Sequence, residues 1–265
     1  MDLKKDILVI DVGNSNIVLG LYSDSKLYHT CRIITDTEKT LDLYLNDIND
    51  IVKYSPLISF VSISSVVPII SEIFREIFTN HLRIPFLFVD ASLDLGLKYL
   101  VPDPSFIGSD LIVNAYAANK IYKNSNCIIF DFGTATTGQL VGKDGCFYGT
   151  IILPGIKTAL QSIIKSAAQL SEIELDKPIN LLGLNTKESV LSGILNGHAL
   201  MAEGFVKKIK SEYNHLSDFI VLATGGLVHL IPLDLKVFPF VDKNLTLFGL
   251  GQIGYEYANK KHPFN

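Results

Sequence analysis

The chain has 265 residues, of which 48% are hydrophobic and 19% charged, and its formal net charge is −4. That is ample apolar sequence for a large buried core in one domain or two, while the slight acidity excludes the basic face of a nucleic-acid binder. Three scattered cysteines, Cys31, Cys127 and Cys146, form no CxxC pair and no Cys/His cluster. This excludes a disulfide framework or zinc site and fits a reducing, cytoplasmic compartment.

The first apolar run, Ile7 to Ile10, follows two lysines but is too short for a signal h-region, and no run of eighteen apolar residues follows anywhere. No membrane partner is expected. The run ends in Asp11-Val12-Gly13-Asn14-Ser15-Asn16, after which Ile17 to Leu19 is apolar again. This pattern predicts strand, turn, strand. Phe60 to Val67 is rich in strand formers and stops at Pro68; Ile69 to Asn80 then carries Ile70, Ile73, Ile77 and Phe78 at helical spacing. Phe86 to Val89 predicts another strand, and the Ala-rich Ser109 to Ile121 a helix. Asn119 to Asn126 is polar enough to carry a lobe boundary.

The second half begins as the first does. Cys127 to Phe130 is apolar, Asp131-Phe132-Gly133-Thr134-Ala135-Thr136-Thr137 is a turn, and Gly138 to Val141 resumes a strand. Helices are predicted over Gly155 to Leu170 and Lys187 to Ile209, and Phe219 to Ala223 is a strand ending at Thr224-Gly225-Gly226. The last helix is placed at about Leu250 to Lys260. Lys207, Lys208 and Lys210 read as a solvated helix face. Strands alternating with helices argue for α/β layers, and the internal echo predicts two similar lobes, residues 1–118 and 119–265.

The chemistry sits at the strand ends. An Asp closing a buried strand lies where α/β folds place ligands, and Gly13 lets backbone N–H groups approach a phosphate. An ordinary hairpin turn accounts equally well for one such segment; a second Asp-x-Gly copy and a Gly-Gly turn favour a nucleotide site. No GxxxxGK[ST] sequence occurs, which disfavours a P-loop enzyme. Gly249 to Gly254 matches GxGxxG, but too little chain follows to complete a βαβ unit, so it reads as the glycine-rich entry to the last helix. Asp110, within Ile107-Gly108-Ser109-Asp110-Leu111, is open to two readings, a cap at the helix start or a general base.

The Asp-x-Gly pair and the Gly-Gly turn resemble the phosphate and adenosine segments of the acetate and sugar kinase, Hsp70 and actin superfamily. That implies an α/β fold of two ribonuclease H-like lobes, the actin-like ATPase fold, with a nucleotide cleft between them. DVGNSNIVLG, ISSVVP, GSD, DFGTATT, ILPGI, NT (Asn185, Thr186), SGI, ATGG and LTLFGL, taken in order, resemble the type III pantothenate kinase family along nearly the whole chain. The resemblance implies transfer of a phosphoryl group from ATP to pantothenate, giving 4′-phosphopantothenate in the first step of coenzyme A synthesis. It implies that Asp11, Val12, Gly13, Asn14, Ser15, Asn16, Ile17 and Val18 hold ATP phosphates and, through Asp11, Mg2+. Thr134 contacts ATP, and Asp131 holds a monovalent cation, K+ or NH4+. Asp110 takes the proton from the pantothenate hydroxyl. Tyr99, Gly108, Ser109, position 111 and Thr186 line the pantothenate pocket, and the assembly is a homodimer. Where the family has Gly-x-Asp-Arg, this chain has Leu111. Leucine makes no charge-assisted hydrogen bond, so weaker pantothenate binding is expected. The alternatives are a kinase for another small hydroxyl or carboxylate substrate, and a non-catalytic accessory protein of the same fold.

Overall fold

The computed structural model describes residues 6–55, 57–166, 173–177 and 180–259. In chain order the main elements are β1 (Asp6–Val12), β2 (Asn16–Ser23), β3 (Lys26–Ile34), α1 (Leu41–Val52), β4 (Ile58–Ser65), α2 (Pro68–Glu76), β5 (Phe86–Phe88), β6 (Lys98–Tyr99), α3 (Ser109–Ile121), β7 (Asn126–Phe132), β8 (Ala135–Val141), β9 (Cys146–Pro154), α4 (Ile156–Ser166), α5 (Thr186–Glu212), β10 (Phe219–Thr224), β11 (Phe240–Val241) and α6 (Leu245–Asn259). The chain divides into two compact units. The first takes the sequence through Leu97, Pro102–Ala117 and the C-terminal segment from Leu245; the second takes Lys98–Val101 and Ala118–Asn244.

The first unit is built on a five-stranded sheet of order β3-β2-β1-β4-β5. β1 is antiparallel to β2 and parallel to β4. Its sequence, DILVIDV, is apolar almost throughout because both faces are covered, as a central strand requires. Leu8, Ile10 and Val12 join Tyr44 and Ile48 of α1 and Ile70 and Phe74 of α2 in one buried cluster. Ile7 faces the other way, against α6. There a Cβ on Gly254 would lie 2.6 Å from Ile7 Cγ2, and one on Gly251 would collide with the Tyr22 ring. Gly249 similarly fits against Val113 and Ala117 of α3. The glycines of the GxGxxG sequence are therefore interior helix positions that let α6 lie close to the sheet and to α3. The helix starts at Leu245, five residues before the sequence-based estimate, so LTLFGL is helix rather than approach. By contacts α6 also groups with the first unit, whereas the sequence-based division leaves it in 119–265.

The second unit repeats the plan. Its sheet runs β11-β10-β7-β8-β9-β6, with β7 antiparallel to β8 and parallel to β10. The order β9-β8-β7-β10-β11 matches β3-β2-β1-β4-β5 strand for strand, and β6 extends the edge by pairing parallel with β9. Ile128, Phe130 and Phe132 of β7 pack with Ile156 and Leu160 of α4 and Leu195, Ala199 and Ala202 of α5. The helix expected over Gly155 to Leu170 is observed at Ile156–Ser166; its expected last residues lie outside the described ones. β3, α1, β6, β9 and β11 have no counterpart in the sequence-based reading.

Candidate active site

The register places the two aspartates at equivalent points. Asp11 lies opposite Val18 of β2 and Ser64 of β4. Asp131 lies opposite Thr137 of β8 and Thr224 of β10. Each hairpin is closed by its glycine: Gly13 N donates to Asn16 O at 3.0 Å, and Gly133 N to Ala135 O at 3.0 Å. Asp11, Gly13, Ser15, Asn16 and Val18 are half-buried, Asn14 is exposed, and Val12 and Ile17 are buried. The turn thus offers polar groups while its apolar residues anchor it in the sheet.

In the first unit a serine cluster links the ends of the parallel strands to the start of α3. Ser109 Oγ accepts from Ser65 N at 2.8 Å, donates to Ser65 O at 3.0 Å and sits 3.0 Å from Ser64 Oγ. Ser64 is fully buried and Ser109 nearly so. Ser64 is the register neighbour of Asp11. One stitched residue therefore carries the N-terminus of α3 to the strand end that bears Asp11, and Asp110 follows directly. Ser64 and Ser65 carry this link although the sequence singles out only their surrounding ISSVVP; paired serines at a strand end and a Gly-Ser-Asp helix start are the available signal.

Asp110 occupies the first turn of α3. Its Oδ1 accepts from Leu111 N at 2.9 Å. Gly108 leaves the carboxylate its room, since a Cβ there would lie 2.5 Å from Asp110 Oδ1. Burial pushes the Asp110 carboxyl above the ordinary carboxylate range, and the backbone N–H groups of Leu111 and Asp110 pull part of the way back. A carboxylate so held is a stronger proton acceptor than one in water. Leu111 is 4% exposed; its side chain is part of the buried apolar set.

In the second unit the Asp131 hairpin is held by glycines. Gly225 adopts φ +104°, and a Cβ there would lie 2.5 Å from both Asp131 Oδ1 and Phe132 N. No residue with a side chain allows β10 to end this close to β7. Thr224 is fully buried, and its hydroxyl has no hydrogen-bond partner among the described residues. Thr134 is exposed at the hairpin tip, where its carbonyl accepts from Thr158 Oγ1 at 3.2 Å. Tyr99 is half-buried on β6, its ring 6.0 Å from that of Phe147. Thr186 is exposed at the first position of α5, after an Asn185 cap that accepts from Glu188 N at 2.9 Å.

With this geometry in place, comparison decides the family. The family model for type III pantothenate kinase matches residues 7–208. The chain belongs to the type III pantothenate kinase family. A type III pantothenate kinase from Paramagnetospirillum magneticum is 38% identical over 93% of this chain and 96% of its own length. Those of Thermomicrobium roseum and Halalkalibacterium halodurans are each 36% identical over 92% of this chain and 95% and 96% of their own. Solved structures share the fold at lower identity. A Baf-family protein of Campylobacter jejuni is 18% identical, covers 95% of this chain and 99% of its own, and has a TM-score of 0.54. A ROK-family glucokinase from Streptomyces griseus, solved with glucose and AMPPNP, is 10% identical, covers 95% and 99%, and has a TM-score of 0.53. The fold is the actin-like ATPase architecture that the resemblance implied, with one copy of the repeated sheet in each unit. Among the described residues no helix is long and apolar enough to cross a membrane.

Proposed function

We propose that this chain transfers the γ-phosphoryl group of ATP to the primary hydroxyl of pantothenate, giving 4′-phosphopantothenate at the start of coenzyme A synthesis. Family membership names the reaction. The observation that fits it to this chain is the seating of Asp110 by Ser109 on the strand end beside Asp11. Phosphoryl transfer asks a protein for positioning, charge neutralisation and a proton acceptor rather than covalent chemistry.

Asp110 is assigned the proton acceptor. It takes the hydroxyl proton of pantothenate at a carboxylate oxygen as the oxygen attacks the γ-phosphorus, and ADP leaves. Residues Asp11 to Val18 are assigned the phosphates, and Thr134 a further contact to ATP. Asp11 offers a hard oxygen donor at a strand end. That suits Mg2+, which takes one or two carboxylates and fills its shell with water and phosphate oxygens. When bound, Mg2+ neutralises charge on the transferring phosphoryl group.

Asp131 is assigned a monovalent cation, K+ or NH4+. The support is its carboxylate opposite Thr224, whose buried hydroxyl oxygen has no hydrogen-bond partner among the described residues; both are oxygen donors of the kind such a cation takes. Gly108, Ser109, Tyr99 and Thr186 are assigned to pantothenate. Leu111 is assigned an apolar contribution from within the fold, in place of the charged donor that an Arg supplies. A cytoplasmic homodimer is the corresponding assembly; Leu181, Leu182 and Leu184, 67%, 81% and 83% exposed beside Thr186, are apolar surface that a second subunit would cover. Incubation with ATP, Mg2+ and pantothenate should give phosphopantothenate by mass spectrometry. A preference for glucose or acetate would replace pantothenate as substrate, and absence of transfer to any acceptor would leave an accessory protein.

A further inference from the structure

Thr35 lies one residue beyond β3 and outside every motif of the sequence, yet it binds the first hairpin twice. Its Oγ1 donates to Gly13 O at 2.6 Å, and its backbone N donates to Ser15 O at 3.2 Å. The second bond continues the β2–β3 ladder, in which Asn16 pairs with Ile34. The first is made by the side chain alone.

The hydroxyl does more than tie down a loop. The peptide unit is planar and trans, and no cis peptide occurs among the described residues. The Gly13 carbonyl and the Asn14 N–H belong to one such plane and point in opposite directions. Fixing the carbonyl on Thr35 therefore aims the Asn14 N–H to the opposite side of the turn. It also occupies the carbonyl oxygen, whose partial negative charge would repel a phosphate. Oriented backbone N–H groups of this kind make anion sites.

Thr35 is itself held. The segment after it is latched to α1, because Tyr44 OH donates to Asp36 O at 2.8 Å and accepts from Asp36 N at 3.1 Å. Tyr44 is fully buried, and Lys39 pairs with Asp47 of the same helix. The hydroxyl thus transmits the rigidity of α1 to the turn.

We propose that Thr35 is a positioning residue for nucleotide binding, setting the Gly13–Asn14 peptide so that its N–H meets a phosphate oxygen. The inference rests on the assignment of this hairpin to ATP phosphates. The test is calorimetric titration of ATP with Mg2+ into the full chain, together with KM for both substrates. Thr35→Val keeps the shape and removes the donor; ATP affinity should fall about 3- to 10-fold, the usual range for one hydrogen bond. KM for ATP should rise in step, with KM for pantothenate unchanged. Thr35→Ser should restore ATP binding, and Thr30→Val, at an exposed position of β3, should leave it unchanged. Thr35→Ala gives the same comparison should the valine variant not fold. Wild-type affinity in both variants that lack the hydroxyl would overturn the inference while leaving the function intact. Loss in the serine variant equal to that in valine would trace the effect to packing and overturn it as well. Absence of ATP binding in the wild type would overturn the function and the inference together.

Discussion

The two Asp-x-Gly hairpins share one topology and are braced by opposite means. In each unit the third strand ends beside the hairpin, and the next residue makes the contact. In the first unit that residue is Thr35, which reaches Gly13 O with a hydroxyl. In the second it is Gly155, whose missing side chain lets the backbone lie directly against Gly133 O and Thr134 O; any Cβ there would collide with Thr134 O. The second brace is backed by His198, a buried histidine of α5 whose Nε2 is 3.1 Å from Pro154 O and whose Nδ1 is 2.7 Å from Ile194 O. A hydrogen bond can be removed without disturbing packing, whereas a close backbone approach cannot be loosened without moving the strand. The first hairpin should therefore be tunable and the second intolerant.

The largest expected effect concerns what the first unit has and the second lacks, the Gly-Ser-Asp helix start. Asp110→Asn keeps size and removes the proposed base. Turnover should drop about 10²- to 10⁴-fold while the protein stays folded. The sign of its stability effect follows from its surroundings. Burial raises the Asp110 carboxyl above its ordinary value, so the folded state holds that proton more tightly than the unfolded state. Stability linked to this group then falls as pH rises from the unfolded value through the folded one. At neutral pH the ionised side chain is a cost, and Asp110→Asn should melt at or above the wild-type temperature. For the same reason the acid limb of kcat/KM should lie above the ordinary Asp value of about 4. A lowered melting temperature together with near-normal turnover would reduce Asp110 to a structural residue at the helix start.

Paired glycine substitutions test the contrast itself. Gly155→Ala forces a Cβ into backbone atoms and should cost about 1–3 kcal/mol in urea unfolding. Gly13→Ala meets only Asn16 O, at 3.2 Å, and should stay within about 1 kcal/mol of wild type. Equal losses at the two positions would show that the hairpins are braced alike.

A smaller effect is expected from the ion assigned to the second hairpin. Replacing K+ by Na+ should lower activity in the wild type, and Asp131→Ala should remove the difference between the salts. Equal wild-type rates in both salts would contradict that assignment.

Much of this was legible in the sequence because central strands announce themselves. DILVIDV and NCIIFDF are buried on both faces, so their composition is plain, and both carry the candidate aspartate as their next-to-last residue. The helix over Ser109 to Ile121 is found where its alanines place it. Edge elements were illegible for the converse reason: β3 alternates exposed and half-buried residues, and its KLYHTCRII carries no continuous apolar run. The glycines of α6 misled because GxGxxG is turn chemistry in sequence, whereas in space each glycine accommodates a named neighbour, Val113, Tyr22 or Ile7. Thr35 left no local signal at all. Its partner is 22 residues away, and only the strand order β3-β2-β1 brings the two together.

The Asp11 hairpin and the Asp110 helix start are proposed to serve one reaction, phosphoryl transfer to pantothenate. A coupled assay of ADP release with ATP, Mg2+ and K+, run with and without pantothenate, tests it most directly. ADP release should depend on pantothenate, saturate with it and fall about 10²- to 10⁴-fold in Asp110→Asn. Equal ADP release in the presence and absence of pantothenate would contradict it.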